Sequence, residues 1–492
     1  MSTFVLVRKI KQKPVLEKVL IEDYAAEGKS LARVDGKVIF VEGAVPGDIV
    51  DIQLQKNKAD WAEGFAKHFH SYSEIRVKPF CSHFGVCGGC QWQMLPYAQQ
   101  LKYKHKQVVD NLTRIAKVAL PEILPILGAT PTEGYRNKVE YTFATERFIP
   151  FEEFKAMKAA GTEAIPSPGA GGFHARGFFE KVVEIDTCYL QEEPTNLIRK
   201  AVVNFAIENE MPFYNIKQHQ GWLRNMFVRN TKDGQWMVNL ILGYEDAEKR
   251  AALLNLLLKQ FPQITTLLYT INTKRNDSMQ DLEPQVFFGN GYITEMLEDF
   301  AFKISPKSFF QTNSNQAEKL YQITRDFAEL TGKEVLYDLY CGTGSIGIFC
   351  SKKAKKIVGV EFVAEAIEDA KENALMNQLT DAAFFAGDVI DVCDDAFFET
   401  HGKPDVIITD PPRAGMHEKL VRKLLAMEAP IIVYVSCNPA TQARDLALLD
   451  EKYMVTKIQP VDMFPHTLHI ENVVQLKKRA TFKLNKESND AV

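Results

Sequence analysis

Cys437 closes an apolar run, Val433-Tyr-Val-Ser-Cys-Asn-Pro-Ala-Thr441, and the residues after it start a helix. That order sets a thiol at the carboxyl end of a strand, the edge of an open α/β sheet where ligands bind. A thiol there is a candidate nucleophile. Alone it reads first as a small buried hydrophobe, and neighbouring segments decide otherwise. Val406-Ile-Ile-Thr-Asp-Pro-Pro-Arg-Ala-Gly415 is another strand that ends on a carboxylate, Asp410, and a rigid double proline. In Phe464-Pro-His-Thr-Leu-His-Ile-Glu-Asn-Val-Val474 a second acid, Glu471, opens a last strand. By itself Glu471 reads as a solvated edge acid. A thiol and two carboxylates at strand ends offer a nucleophile and a general base.

A nucleoside site is written into the stretch before them. Val335-Leu-Tyr-Asp-Leu-Tyr-Cys-Gly-Thr-Gly-Ser-Ile-Gly347 reads as strand, glycine turn and helix start. Gly342 and Gly344 let the backbone approach a ligand, and the helix start offers unpaired N–H groups. A further apolar strand, Lys356 to Glu361, ends on an acid 23 positions after Asp338, the spacing at which a carboxylate meets ribose hydroxyls. The lysine and spacing of a phosphate-binding P-loop are missing. The turn resembles the S-adenosylmethionine-binding turn of Rossmann-like methyltransferases. Enzymes of that class that methylate exocyclic amines carry an aromatic residue after the two prolines; here Arg413 stands there, which argues against an amine target.

Together these segments resemble the RNA 5-methyluridine methyltransferases. Ser-Phe-Phe-Gln-Thr-Asn (308–313), Asp-Pro-Pro-Arg-Ala-Gly (410–415), Ser-Cys-Asn-Pro-Ala-Thr (436–441) and Phe-Pro-His-Thr-Leu-His-Ile-Glu (464–471) follow that family in order and spacing. His466 stands where the family commonly has glutamine, and residues 147–172 look like an insertion. The resemblance implies Cys437 as nucleophile at carbon 6 of uracil and Glu471 as the base that removes the proton from carbon 5. It places Asp410 among the cofactor and site-ordering contacts. It adds Gln311, Tyr340, Glu361 and Asp388 to Asp338, Gly342 and Gly344 around the cofactor, although Asp388 reads equally as a turn acid.

Of eight cysteines, Cys341, Cys350 and Cys393 have no ligand spacing and read as packing residues. Cys81, Cys87 and Cys90 form Cys-x5-Cys-Gly-Gly-Cys, and Cys188 in Ile185-Asp-Thr-Cys-Tyr-Leu190 would complete a four-thiolate site. Clustered thiols in a cytosolic protein point to metal, not disulfides, and four thiolates suit zinc or iron-sulfur. Spacing leans to zinc; resemblance to the cluster-bearing branch, through Gly-Gly-Cys-Gln-Trp-Gln (88–93), implies 4Fe-4S. A radical S-adenosylmethionine site would need Cys-x3-Cys-x2-Cys, which is not here.

The elements that must position these groups fall into three regions. Residues 9–68 alternate strand-like runs with glycine turns, the pattern of a small β-barrel, and resemble the RNA-binding TRAM domain with Pro46-Gly-Asp as its turn. Residues 70–300 are mixed α/β, hold the cysteines, and include Gly134-Tyr-Arg-Asn-Lys138 and Trp222-Leu-Arg-Asn225, which match family positions facing RNA or a domain junction. Residues 301–479 form the Rossmann-like class I catalytic sheet, and Glu487 to Val492 reads as a disordered tail.

The whole chain of 492 residues, 46% hydrophobic and 25% charged, has the composition of a large soluble enzyme. It shows no signal-peptide layout and no long apolar run, so the expectation is a cytoplasmic monomer. A net charge of -4 gives no global nucleic-acid signature. The basic candidates are local: Lys102-Tyr-Lys-His-Lys106, Arg114 with Lys117, and Lys477-Lys-Arg479. The expected function is uracil-C5 methylation of RNA. Barrel and four cysteines together resemble the branch acting on 23S ribosomal RNA, with transfer RNA as the alternative. An RNA amine methyltransferase and a non-catalytic RNA-binding protein are the remaining classes.

Overall fold

The structure is a computed structural model that describes residues 13–161, 168–178 and 180–480. The expected disordered tail from Glu487 and the first residues of the barrel segment lie outside the described residues. The chain divides into two compact units, one running to Tyr103 and including His466–Leu468, the other holding the rest.

The first unit is built on a six-stranded sheet in the order Val15–Leu20, Ile49–Asn57, Trp61–Ser71, Lys37–Glu42, Ser30–Val34, Asp23–Tyr24. Its strands alternate as a half-buried sheet requires: in Ile49–Asn57, Val50, Ile52 and Leu54 are buried while their neighbours are more open. They meet Val19, Ile21, Ala32, Ile39, Val41 and Ala62 in one small core. A second cluster of Tyr24, Val45, Trp92, Met94, Leu95 and Tyr103 gathers the chain that follows the sheet.

The second unit contains two seven-stranded sheets. One runs Gln285–Phe288, Ile264–Ile271, Trp236–Leu242, Leu223–Asn230, Lys138–Ala144, Ala170–His174, Val182–Glu184. Helices Thr195–Glu208 and Ala247–Gln260 contribute Ile198, Val202, Leu253, Leu254 and Leu257 to the core that it shares with them.

The other sheet carries the strands Val335–Leu339, Lys356–Glu361, Ala382–Ala386, Val406–Thr409, Ile431–Ser436, Tyr453–Val461 and Glu471–Lys478. Counted in that chain order, they lie side by side as 3-2-1-4-5-7-6. The first five are parallel and the last is antiparallel to both neighbours. These strands read as continuous apolar runs because both faces are covered. Ile408, Val433 and Val435 pack into one layer, and Ile407, Ile432 and Tyr434 into the other.

Residues 104–127 depart from the sequence reading. They belong by sequence to the central region, yet Val108, Leu112 and Ala116 pack into the core of the catalytic sheet beside Ala443 and Leu446. Ile123 and Leu127 bridge to Ile458 and Val461 on the edge strand of that sheet.

Candidate active site

All five parallel strands deliver their carboxyl ends to one edge of the sheet. On the first, Asp338 is wholly buried and accepts the N–H of Gly347 at 2.8 Å through one oxygen. Its other oxygen is buried with no partner. Burial, with Asp410 and Glu361 nearby, pushes its carboxyl up to about 7. The chain then turns through Tyr340 at φ 62° and Gly342 at φ 52° into Gly344, whose φ of 76° starts the helix Ser345–Cys350. A Cβ on Gly342 would meet nothing within 4 Å, whereas one on Gly344 would come within 2.9 Å of Phe384. Gly342 therefore faces open space, and Gly344 is needed for close packing as well as for its backbone.

Glu361, at the end of the neighbouring strand, accepts from Gly342 N–H at 3.2 Å and from Val363 N–H at 2.9 Å. Asp388 caps the short helix Val389–Val392 by accepting from Ile390 N–H at 2.9 Å. It also lies close enough to Tyr340 to raise that phenol's pKa, after burial. The turn, the two acids and Asp388 thus form one cradle. Its orphaned buried oxygen on Asp338 and open face at Gly342 fit the ribosyl and amino-acid portions of S-adenosylmethionine. Gln311 is buried in the loop ahead of helix Ser314–Ala328.

The chemistry-bearing groups sit further along the same edge. Ser436 pairs with Asn472 in the antiparallel ladder, so one step beyond it Cys437 and Glu471 stand opposite each other. Asp410 follows Thr409 and donates its N–H to Leu339 O at 3.4 Å. Glu471 is buried, and its carboxyl is raised well above the usual range by burial and by Asp410, with Arg413 opposing. Burial likewise raises Asp410 to about 7. Two neighbouring buried carboxyls do not ionise together, so near neutrality the pair holds a proton. Cys437 lies just ahead of helix Pro439–Leu449, where the helix end favours a thiolate. Burial and the two carboxylates outweigh that and push the thiol up to about 11, while Arg413 pulls it down.

Several residues that hold this arrangement had no local sequence signal. Asp445, wholly buried in the helix after the nucleophile, accepts from Met416 N–H at 2.8 Å and from Tyr434 hydroxyl at 2.7 Å. It thereby fixes the Asp410–Met416 loop to the nucleophile strand. Asn438 donates to Arg413 O at 3.0 Å, and Arg413 reaches His469 Nδ1 at 2.9 Å. Burial and that guanidinium hold His469 down at about 4. Asn472 donates to Gln442 Oε1 at 2.7 Å and Gln442 Nε2 to Tyr434 O at 3.0 Å, which ties the base strand to the nucleophile strand. Asn137 was visible only as part of Gly134-Tyr-Arg-Asn-Lys138. Its amide donates to Gln311 O at 3.0 Å and Ser314 Oγ at 2.7 Å, and its N–H to Thr312 O at 2.9 Å.

Cys81, Cys87 and Cys90 stand in the first unit and Cys188 in the second. Among the described residues no group of three or more His, Cys, Asp or Glu side chains is placed to hold a metal ion. Within the cysteine loop, Cys87 N–H donates to His83 O at 3.0 Å, and its sulfur accepts from Gly89 N–H at 3.4 Å. Several of the basic candidates form ion pairs. Lys104 and Asp462 form a wholly buried ion pair at 2.7 Å. Lys106 and Arg114 share Asp110, and Lys477, Lys478 and Arg479 pair with Glu329, Glu428 and Asp450.

Residues 397–479 match the tRNA (uracil-5-)-methyltransferase family, 317–431 the methyltransferase small domain and 17–66 the TRAM domain. An uncharacterized RNA methyltransferase of Bacteroides thetaiotaomicron is 52% identical over 459 residues, 92% of this chain and 100% of the relative. The chain belongs to the RNA uracil-C5 methyltransferase family. Another relative, from Porphyromonas gingivalis, is 47% identical over 93% of this chain and 98% of its own. The crystal structure of Pyrococcus abyssi tRNA (uracil-54, C5)-methyltransferase in complex with S-adenosyl-L-homocysteine superposes with a TM-score of 0.72 at 28% identity. It covers 93% of this chain and 100% of that one. Family membership supports the expected class I fold, N-terminal TRAM domain and S-adenosylmethionine dependence. No helix among the described residues is long and apolar enough to cross a membrane.

Proposed function

We propose that this methyltransferase acts on carbon 5 of a uridine in RNA, with Cys437 as nucleophile and Glu471 as base. The observation that carries the reading is the register that sets Cys437 opposite Glu471 with Asp410 beside them. Carbon 5 of uracil is a poor nucleophile until a thiolate adds to carbon 6 and leaves an enolate. The resting thiol is protonated, so its proton leaves to solvent as the sulfur–carbon bond forms, and the pair keeps one ionised carboxylate. Bound in the cradle of Asp338, Tyr340, Gly342, Gly344, Glu361, Asp388 and Gln311, S-adenosylmethionine supplies the methyl group. Glu471 then removes the proton from carbon 5, and the electron pair left behind expels the Cys437 sulfur. The neutral member of the Asp410–Glu471 pair is a hydrogen-bond donor to the uracil oxygen that gains charge as the enolate forms.

As substrate we propose 23S ribosomal RNA, supported by the resemblance of the barrel and four cysteines to the ribosomal branch. The likeness to the Pyrococcus abyssi tRNA enzyme over 93% of the chain favours transfer RNA as a second reading. Mapping 5-methyluridine in both RNAs from a deletion strain decides between them: loss from ribosomal RNA alone supports the first, loss from transfer RNA the second.

For the cysteines we propose a 4Fe-4S cluster, supported by donor chemistry and resemblance alone, and no step above passes through it. Anaerobically purified protein is expected to carry about four irons per chain. Zinc without iron would replace the cluster with a structural zinc site, and absence of both would end the metal reading.

A further inference from the structure

The Pro46-Gly-Asp turn has a second consequence within the first unit. Gly47 adopts φ 92°, and a Cβ there would come within 2.6 Å of Ser73 Oγ, so the turn closes only with glycine. It thereby buries Asp48 completely. That carboxylate accepts hydrogen bonds from Val45 N–H at 2.7 Å, Ser73 N–H at 2.9 Å, Arg76 Nε at 2.8 and 3.2 Å and Arg76 Nη2 at 2.6 Å. Arg76 is held further by Gly43 O at 3.3 Å. Its guanidinium carbon lies 5.2 Å from the ring centre of Phe69 and 5.4 Å from that of Tyr72. The two rings stack 4.9 Å apart at 22°. Phe69 packs against the core of the sheet, whereas Tyr72 is 67% exposed. Although Phe69 and Arg76 both contact it, much of the Tyr72 ring therefore stays open to solvent.

We infer that Tyr72, backed by Phe69 and steadied by Arg76 and Asp48, is a stacking platform for an unpaired nucleobase of the RNA substrate. Two features favour a base over other occupants. The ring is a flat π system with a guanidinium over it, which suits a heteroaromatic partner. It is fixed before binding, so little rotamer entropy remains to be lost. The reading makes single strands the preferred ligand, because a paired base has no face to spare.

This inference rests on the proposed RNA substrate, and the full-length protein tests the two separately. Binding of a mixed-sequence single-stranded RNA 20-mer is measured for wild type, Tyr72→Ala and Tyr72→Phe, with KM and kcat on RNA and the melting temperature alongside. Tyr72→Ala is expected to weaken single-strand binding on the order of tenfold and to raise KM for RNA while kcat, KM for S-adenosylmethionine and melting temperature hold. Tyr72→Phe should restore binding, since the ring alone is required. A crosslink from 5-iodouridine RNA should map to the peptide containing Tyr72. If wild type methylates RNA and Tyr72→Ala matches it in binding and KM, the platform is overturned and the function stands. If wild type methylates no RNA, the function itself falls.

Discussion

The two seven-stranded sheets of the second unit bury charge in opposite ways. In the central sheet the buried charges are arginines seated on backbone carbonyls. Arg199 donates to Gly171 O at 3.0 Å and Asp186 O at 3.2 Å. Arg224 donates to Asn272 O and Lys274 O, both at 2.7 Å, and to Asp277 at 2.7 Å. Those bonds fasten a loop and a strand end. In the catalytic sheet Asp338 and Glu471 are carboxyls buried at strand ends on one edge. Asp338 keeps an oxygen without a partner, and Asp410 adds to the burial that raises the proton affinity of Glu471. Charge answered by carbonyls holds a fold together, whereas charge left unanswered at one edge is available for a ligand or a proton.

Substitutions on the two sides should separate stability from activity. Asp410→Asn is expected to cut the methylation rate on the order of 10²-fold or more. Its melting temperature at pH 8 should be kept or raised, because a like-charged neighbour of Glu471 is gone. Arg224→Met should do the reverse, destabilising by about 1 to 3 kcal/mol because the buried Asn272 O loses its donor, while the folded fraction retains its turnover. Denaturation curves paired with initial rates on both variants check this. Equal loss of stability in both would erase the contrast.

The raised acids also predict a pH trend. A carboxyl whose folded pKa lies above its unfolded one stabilises fully below the unfolded value, and that stability is lost as pH rises through the folded one. Asp338 and Asp410 therefore make the apoprotein less stable as pH goes from about 4 to about 7. Asp338→Asn keeps an acceptor for Gly347 N–H and should flatten that decline, read as melting temperature across the same range. An unchanged slope would mean that Asp338 ionises freely.

A smaller effect is expected at the junction of the central and catalytic regions. Asn137→Ala should raise KM for S-adenosylmethionine on the order of fivefold through the Gln311 loop, with kcat changed far less. A fall in kcat at constant KM would place Asn137 in another role.

The sequence disclosed this asymmetry unevenly. Strand-end acids and the glycine turn were legible because strands covered on both faces are continuous apolar runs, and a polar residue ending one stands out. Cys437 and Glu471 were legible individually, but their facing each other depends on an antiparallel register with no local signature. Asp445 reads as an ordinary helix acid until Met416 and Tyr434 are brought to it. Lys104 and Lys477–Arg479 read as basic clusters because their acidic partners lie far off in the chain. The placement of residues 104–127 was hidden likewise, since bridges such as Ile123 to Ile458 join segments more than three hundred positions apart.

Trapping the covalent intermediate tests the assigned roles of Cys437 and Glu471 most directly. Glu471→Gln, incubated with substrate RNA and methyl-labelled S-adenosylmethionine, should stop after methyl transfer. It should then give a labelled protein–RNA adduct that survives denaturing electrophoresis, as should wild type on 5-fluorouridine RNA. Cys437→Ala should give neither adduct nor product. A methylated adduct from Cys437→Ala would contradict the nucleophile, and normal turnover without adduct by Glu471→Gln would contradict the base.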